Sequence, residues 1–392
     1  MSSLHLGGAE TALLGLLENM DYDKYDVDLF LYRHEGELLP YLPKQVRLLP
    51  ENAVYACLAE GWFRSLRRGY LRIALQRVLA IFQARWKFPG VSQASINGDY
   101  LHKHLLRFLP PIAPDRKYDL AVSFIFPHYI VADKVQATKK VAWIHTDYTS
   151  VKLDIASQLR MWGKYDNIIS ISEAVSRTFC EIFPTLGNRL IIIENILPEA
   201  YIKKRADEEI PNWQISTRTP EIKLLSVGRF SPQKNFDNVP DICRHVLQFG
   251  VAIKWYLIGY GGDEKLIRQK ITEAGMQDKV VVLGKKDNPY PYIKDCDVYV
   301  QPSRYEGKSV AVREAQLLGK PVIITAFPTA GSQLQDGVDG LIVPLDNEKC
   351  AQCIALLLKN SQILQKITHN CRTNDFSLKS EILKFNQLLE EK

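Results

Sequence analysis

Three observations predict an α/β protein in two domains. Short apolar runs of strand length alternate with amphipathic helical stretches along the chain, the pattern of parallel sheets covered by helices. A polar stretch at 199–220, with two prolines and no clear period, separates two such series and reads as a linker. The segment 299–325 then carries a whole strand–loop–helix–strand unit, closed by Gly319 before the run PVIIT. A chain of 392 residues, 46% hydrophobic and 24% charged, has material for two cores.

Composition narrows the function classes. A net charge of +6 is too small to argue for nucleic acid, and no nucleic-acid-binding motif accompanies it. The seven cysteines are scattered, which fits a reducing compartment; Cys350 and Cys353 share a helical pattern and read as buried thiols. No signal-peptide pattern opens the sequence, and no apolar run approaches the roughly 18 residues of a spanning helix. The expected location is cytoplasmic.

In chain order, Gly7 and Gly8 precede a helix with apolar residues at Ala12, Leu13, Leu16 and Leu17. Such a turn lets backbone N–H groups approach an anion closely, or is simply a tight turn. Only residues 1–6 are available for the strand that should come first, so that strand is either very short or missing, as in a truncated start. The run 27–32 (VDLFLY) is a predicted strand. Residues 60–88 interleave Arg64, Arg67, Arg68, Arg72, Arg77, Arg85 and Lys87 with large apolar residues, among them Trp62 and Trp86. A basic amphipathic stretch with aromatic ends fits contact with a bilayer interface; the alternative is a packing helix with solvated arginines.

Strands are expected at 119–124, 140–144, 167–171 and 190–194. His145 falls at the carboxyl end of the second of these, beside Asp147, where α/β sites collect; a lone histidine is otherwise structural. The alternation restarts at 223–227 and runs into Gly228-Arg229-Phe230-Ser231-Pro232-Gln233-Lys234-Asn235. Arg229 and Lys234 form a plausible diphosphate clamp, a rigid fork of donors and a point charge. Further strands are expected at 254–258, before Gly259-Tyr260-Gly261-Gly262, at 280–284 and at 297–300. Asp295-Cys296-Asp297 looks like a metal-holding acidic pair but precedes its strand, so no metal is expected. Glu306 and Glu314 have seven residues between them, one before the helix of the 299–325 unit and one within it. Residues 377–392 form a terminal amphipathic helix.

The ordered set GRFSPQKN at 228–235, GYGG at 259–262, SRYEG at 303–307 with Glu314-Ala315, GKPVI at 319–323 and DGVDGLIV at 336–343 resembles glycosyltransferase family 4. The resemblance is strong over 221–345 and weaker before it, where Gly7-Gly8-Ala9-Glu10 and His145 match. It implies the GT-B fold, two Rossmann-like domains facing across a cleft. Residues 1–198 would receive the acceptor and 199–376 the sugar nucleotide, with helix 377–392 packing back on the first. It also implies that Arg229 and Lys234 contact the donor diphosphate, Glu314 the ribose, and Glu306 and His145 the donor sugar. The Gly7-Gly8 loop would close over the diphosphate, and the backbone from Gly307 through Lys308, Ser309 and Val310 would add N–H donors. Lys308, where the family often has an apolar residue, and the short first strand depart from the pattern. The implied activity is retaining transfer from a nucleotide-sugar, UDP-sugar ahead of GDP-sugar, to a glycan or lipid-linked acceptor. That places it in bacterial surface polysaccharide synthesis, at the inner membrane face, with no cofactor and no nucleic-acid partner. A sugar-nucleotide epimerase of the same fold and an inactive scaffold are the alternatives.

Overall fold

The computed structural model describes residues 1–59, 62–67, 69–87, 100–145, 148, 153–210 and 221–390. Asp147, residues 60, 61, 68 and 88 of the basic stretch, and 211–220 of the expected linker lie outside them. The chain divides into two units, Met1–Ile196 with Lys379–Lys392, and Leu197–Leu378.

In the first unit, β3 (Tyr118–Ser123), β4 (Ala137–Ile144), β5 (Asn167–Ser170) and β6 (Leu190–Ile192) form a parallel sheet in that order. Val141, Ala142, Trp143 and Ile144 are all buried, the continuous apolar run expected of a strand covered on both faces. A separate pair, β1 (Asp28–Leu29) and β2 (Arg47–Leu48), is also parallel. The strand expected at 27–32 is therefore only two residues long. Its continuation is held instead by the chain's start: the N–H groups of Tyr32 and Arg33 donate to the carbonyls of Met1 and Ser2, at 2.9 and 3.0 Å. Residues 1–6 pair this way without forming a regular strand, and Leu4 is buried there. The helix Glu381–Glu390 packs on the same unit, with Phe385 6.0 Å from the Trp143 ring.

The second unit holds six parallel strands: β7 (Ile222–Val227), β8 (Ile253–Ile258), β9 (Val280–Gly284), β10 (Val298–Gln301), β11 (Val322–Thr325) and β12 (Leu341–Val343). Their order across the sheet is β12-β11-β10-β7-β8-β9, the doubly wound Rossmann arrangement. The chain reverses its winding between β7 and β10, so the crevice at their carboxyl ends is the place for a ligand. Buried polar groups tie these central strands: Trp255 Nε1 donates to Ser226 Oγ at 2.9 Å, and Ser226 Oγ donates to the Val300 carbonyl at 2.6 Å.

One further expectation is corrected here. The stretch read as linker begins with a helix, Glu199–Ala206, whose Tyr201, Ile202 and Ala206 are buried. Tyr201 packs edge-on against Tyr290, 5.9 Å between centroids, so a few well-placed apolar residues outweigh the polar composition. The acidic pair serves the sheet: Asp297 accepts the Lys223 N–H at 2.7 Å, and Asp295 pairs with the Lys223 ammonium at 2.9 Å.

Candidate active site

The loop after β7 and the loop after β10 meet at the switch point. Gly259 and Gly261 let the first be placed. A Cβ on Gly259 would lie 1.8 Å from the Gly228 carbonyl oxygen, and one on Gly261 2.2 Å from that of Phe230. Both have φ near +155°, open to glycine, and the Phe230 N–H donates to the Tyr260 carbonyl at 2.8 Å. Asn235 adopts the left-handed conformation at φ 60° and donates from Nδ2 to the Pro302 carbonyl at 2.8 Å, which joins the two loops. Arg304 does the same in the other direction, with a two-pronged ion pair to Asp237 at 3.0 and 2.8 Å.

This scaffold brings Lys234 and Glu306 together. Lys234 Nζ donates to Glu306 Oε1 at 2.5 Å, with both side chains largely buried. Ser303 Oγ donates to the same oxygen at 2.6 Å, and Gln233 Nε2 reaches Oε2 at 3.4 Å. Behind Ser303 stands a buried relay: Gln301 Nε2 donates to Ser303 Oγ at 2.9 Å, and the Tyr299 hydroxyl donates to Gln301 Oε1 at 2.8 Å. Because the Gln301 amide nitrogen can only donate, Ser303 must pass its own proton toward Glu306. Every donor in the network thus points at the carboxylate. Arg229 is exposed and forms no ion pair among the described residues. Gly307 is exposed with open space where a Cβ would stand.

Glu314 is buried on the helix Val310–Leu317, one oxygen accepting from the Tyr290 hydroxyl at 2.9 Å. Burial pushes its carboxyl up to about 7, against the lowering effect of that hydrogen bond. Ser309 caps this helix, but its N–H already donates to Gln333 Oε1 at 2.6 Å. The donor set expected along Gly307, Lys308, Ser309 and Val310 therefore lacks that one unless Gln333 gives way. Sequence reasoning passed over Ser303, Gln301, Tyr299, Gln233, Tyr290 and Gln333; only Ser303 and Gln233, inside the motifs, carried any signal.

The remaining candidates lie in the first unit. Gly7 caps the helix Gly8–Glu18, and the Glu10 carboxylate folds back so closely that a Cβ on Gly7 would meet its Oε2 at 2.3 Å. Burial raises the Glu10 carboxyl above its ordinary range. His145 follows β4, its ring stacked parallel to Trp143 with centroids 6.2 Å apart and 4.9 Å from the Phe124 ring. Burial lowers its imidazole to about 4, so it is neutral at physiological pH. His128, also buried, is lowered to about 3 by desolvation and then by His145, and its Nδ1 lies 2.9 Å from Ser123 Oγ. Among the described residues, no group of three or more acidic, His or Cys side chains could hold a metal ion.

Residues 207–374 match the family model of glycosyl transferases group 1. Over that stretch, which holds all six strands of the second unit, the chain is similar to the group 1 glycosyl transferases. An uncharacterized glycosyltransferase of Methanocaldococcus jannaschii is 25% identical over 276 residues, 64% of this chain and 75% of that protein. A 4-alpha-N-acetylgalactosaminyltransferase of Campylobacter jejuni, named for a diphospho-undecaprenol-linked sugar, is 23% identical over 238 residues, 60% of this chain and 62% of its own length. Among solved structures, Anabaena HepE in complex with UDP and glucose superposes with a TM-score of 0.64 at 17% identity, covering 100% of this chain and 97% of that one. At that identity the likeness establishes the fold, the GT-B class of two Rossmann-like units. The fold class expected from the motifs is thus correct, and the group 1 glycosyl transferase model matches where those motifs stand.

Proposed function

We propose that this protein moves a sugar from a UDP-sugar, with retention of configuration, to a glycan or lipid-linked acceptor in bacterial surface polysaccharide synthesis. The observation that carries the reading is the Lys234–Glu306 pair at the switch point of the six-stranded sheet, with Arg229 uncommitted nearby in sequence. Cleaving a glycosyl–phosphate bond builds negative charge on the diphosphate and positive character on the sugar ring. Arg229 and the ammonium of Lys234, which has donors to spare, take the first. Glu306, held by three donors, faces the second and fixes sugar hydroxyls. Glu314 keeps one oxygen without a partner among the described residues, suited to a ribose hydroxyl. The Campylobacter relative, whose name places its sugar on a diphospho-undecaprenol carrier, supports the lipid-linked acceptor. The first unit would receive that acceptor, and His145 is its candidate for a contact with the donor sugar.

The test is a thermal-shift panel of UDP, GDP and ADP, followed by incubation with the stabilising nucleotide's sugar conjugates. A ligand at about 100 times its Kd adds roughly 2.7 kcal/mol. Arg229→Ala should weaken donor binding about tenfold or more, the cost of losing a charged hydrogen bond. Isomerised donor in the absence of acceptor would instead identify an epimerase, and no response to any nucleotide would sink the assignment.

A further inference from the structure

The helix Leu71–Lys87 is built inside out for a surface helix. Its inward positions are mostly small: Ala74, Ala80 and Ala84, with Ile73 and Arg77. Ala80 and Ala84 pack with Tyr100, Ile73 joins the cluster of Tyr55 and Leu105, and Arg77 donates to the Cys57 carbonyl. Lys87 pairs with Asp154 at 3.1 Å, so the helix is anchored at its far end as well. The large apolar residues face out: Leu71, Leu75, Val78, Leu79, Phe82 and Trp86, the last two 71% and 79% exposed. At about 100° per residue these six fall within one stripe roughly 100° wide, opposite Ala80 and Ala84. Exposed Arg72 and Arg85 lie at its two edges. An apolar strip of this kind on a folded chain marks an interaction surface.

Charge decides the partner. Between Gly61 and Gly98 the sequence has seven cations (Arg64, Arg67, Arg68, Arg72, Arg77, Arg85 and Lys87) and no acid. A second copy meeting this face about a two-fold axis would set arginine against arginine with no carboxylate between them. A polynucleotide offers phosphates but nothing to cover six large apolar side chains. An anionic bilayer satisfies both demands: acyl chains take the stripe, and headgroups take the flanking guanidinium groups. We propose that the helix Leu71–Lys87 docks this protein on an anionic membrane surface, lying in the interface plane with Leu71, Leu75, Val78, Leu79, Phe82 and Trp86 inserted. Docking would bring the enzyme to a lipid-linked acceptor, yet it is measured without donor or turnover and stands or falls separately from the transfer reaction.

The experiment is co-sedimentation of the full chain with phosphatidylcholine vesicles with and without phosphatidylglycerol. Binding should require the anionic lipid and weaken with salt. Leu75→Ser with Phe82→Ser should abolish it, and Arg72→Ala with Arg85→Ala should lower it roughly tenfold, each with an unchanged melting temperature because these side chains face outward. As a second readout, the anionic vesicles should shift tryptophan emission to the blue, and Trp86→Phe should remove most of that shift. Failure to sediment, wild-type binding by the Leu75/Phe82 variant, or a blue shift that survives Trp86→Phe overturns the proposal. So does a lipid-free dimer that the Leu75/Phe82 substitutions dissociate, which would give the stripe to a second copy.

Discussion

Glu306 is held by side chains from two loops and by a relay that reaches into the sheet through Ser303, Gln301 and Tyr299. Ser303→Ala removes the donor that links the relay to the carboxylate and leaves Gln301 Nε2 buried without an acceptor. The expected outcome is a fall in kcat of about tenfold, with donor KM little changed, since Lys234 still holds the carboxylate. Glu306→Gln should cost far more, about a hundredfold or beyond, because the amide keeps an oxygen for Lys234 and Ser303 but loses the negative charge that stabilises a positive sugar ring. Equal kcat for wild type and both variants would remove Glu306 from the chemistry. Ser303 was legible as part of a motif, but its task was not. Three residues spaced along one strand end say nothing of which proton points where until their neighbours are fixed.

At the scale of elements, the terminal helix bears on the first unit through one aromatic column. Phe385 packs on Trp143, and Trp143 lies parallel to the His145 ring, 8° between planes. Phe385→Ala should therefore cost about 3–5 kcal/mol of stability, the cavity range for a buried phenyl group. It should also alter Trp143 fluorescence and the His145 ring resonances more than an exposed-face control, Leu383→Ala. Identical His145 resonances in wild type and Phe385→Ala would make the column mere packing. The helix itself was legible from its period, whereas its seat on Trp143 was not, because amphipathicity tells that a helix has an inner face and not what meets it.

Across the whole molecule, buried titratable groups give stability opposing slopes with pH. Glu314 has its carboxyl raised from 4.5 to about 7, so the folded state keeps a proton that the unfolded chain releases. Its contribution is complete below about pH 4.5 and is lost as pH rises toward 7, a term on the order of 3 kcal/mol. His145 runs the other way. Lowered from 6.5 to about 4, it contributes fully above 6.5 and loses that contribution as pH falls toward 4. Relative to wild type, Glu314→Gln should gain stability in urea melts at about pH 8 and not at about pH 4, and His145→Asn should soften the acid limb. Parallel pH profiles for all three proteins would refute the linkage. By itself, the sequence determined the parallel strands, since runs such as VYV and VIIT, buried on both faces, need no partner to be recognised. Its loop motifs, standing in order, also pointed to the group 1 glycosyl transferases, whose model matches residues 207–374. Tertiary structure alone decided the rest. It shortened the strand at 27–32 by giving its backbone to the chain's start, and folded part of an apparent linker into a helix against Tyr290. It also turned the small side of the 71–87 helix inward and its leucines, phenylalanine and tryptophan outward. Periodicity sorts residues by face, but which face is buried depends on how closely neighbouring backbones approach, and that is set only when the chain is folded.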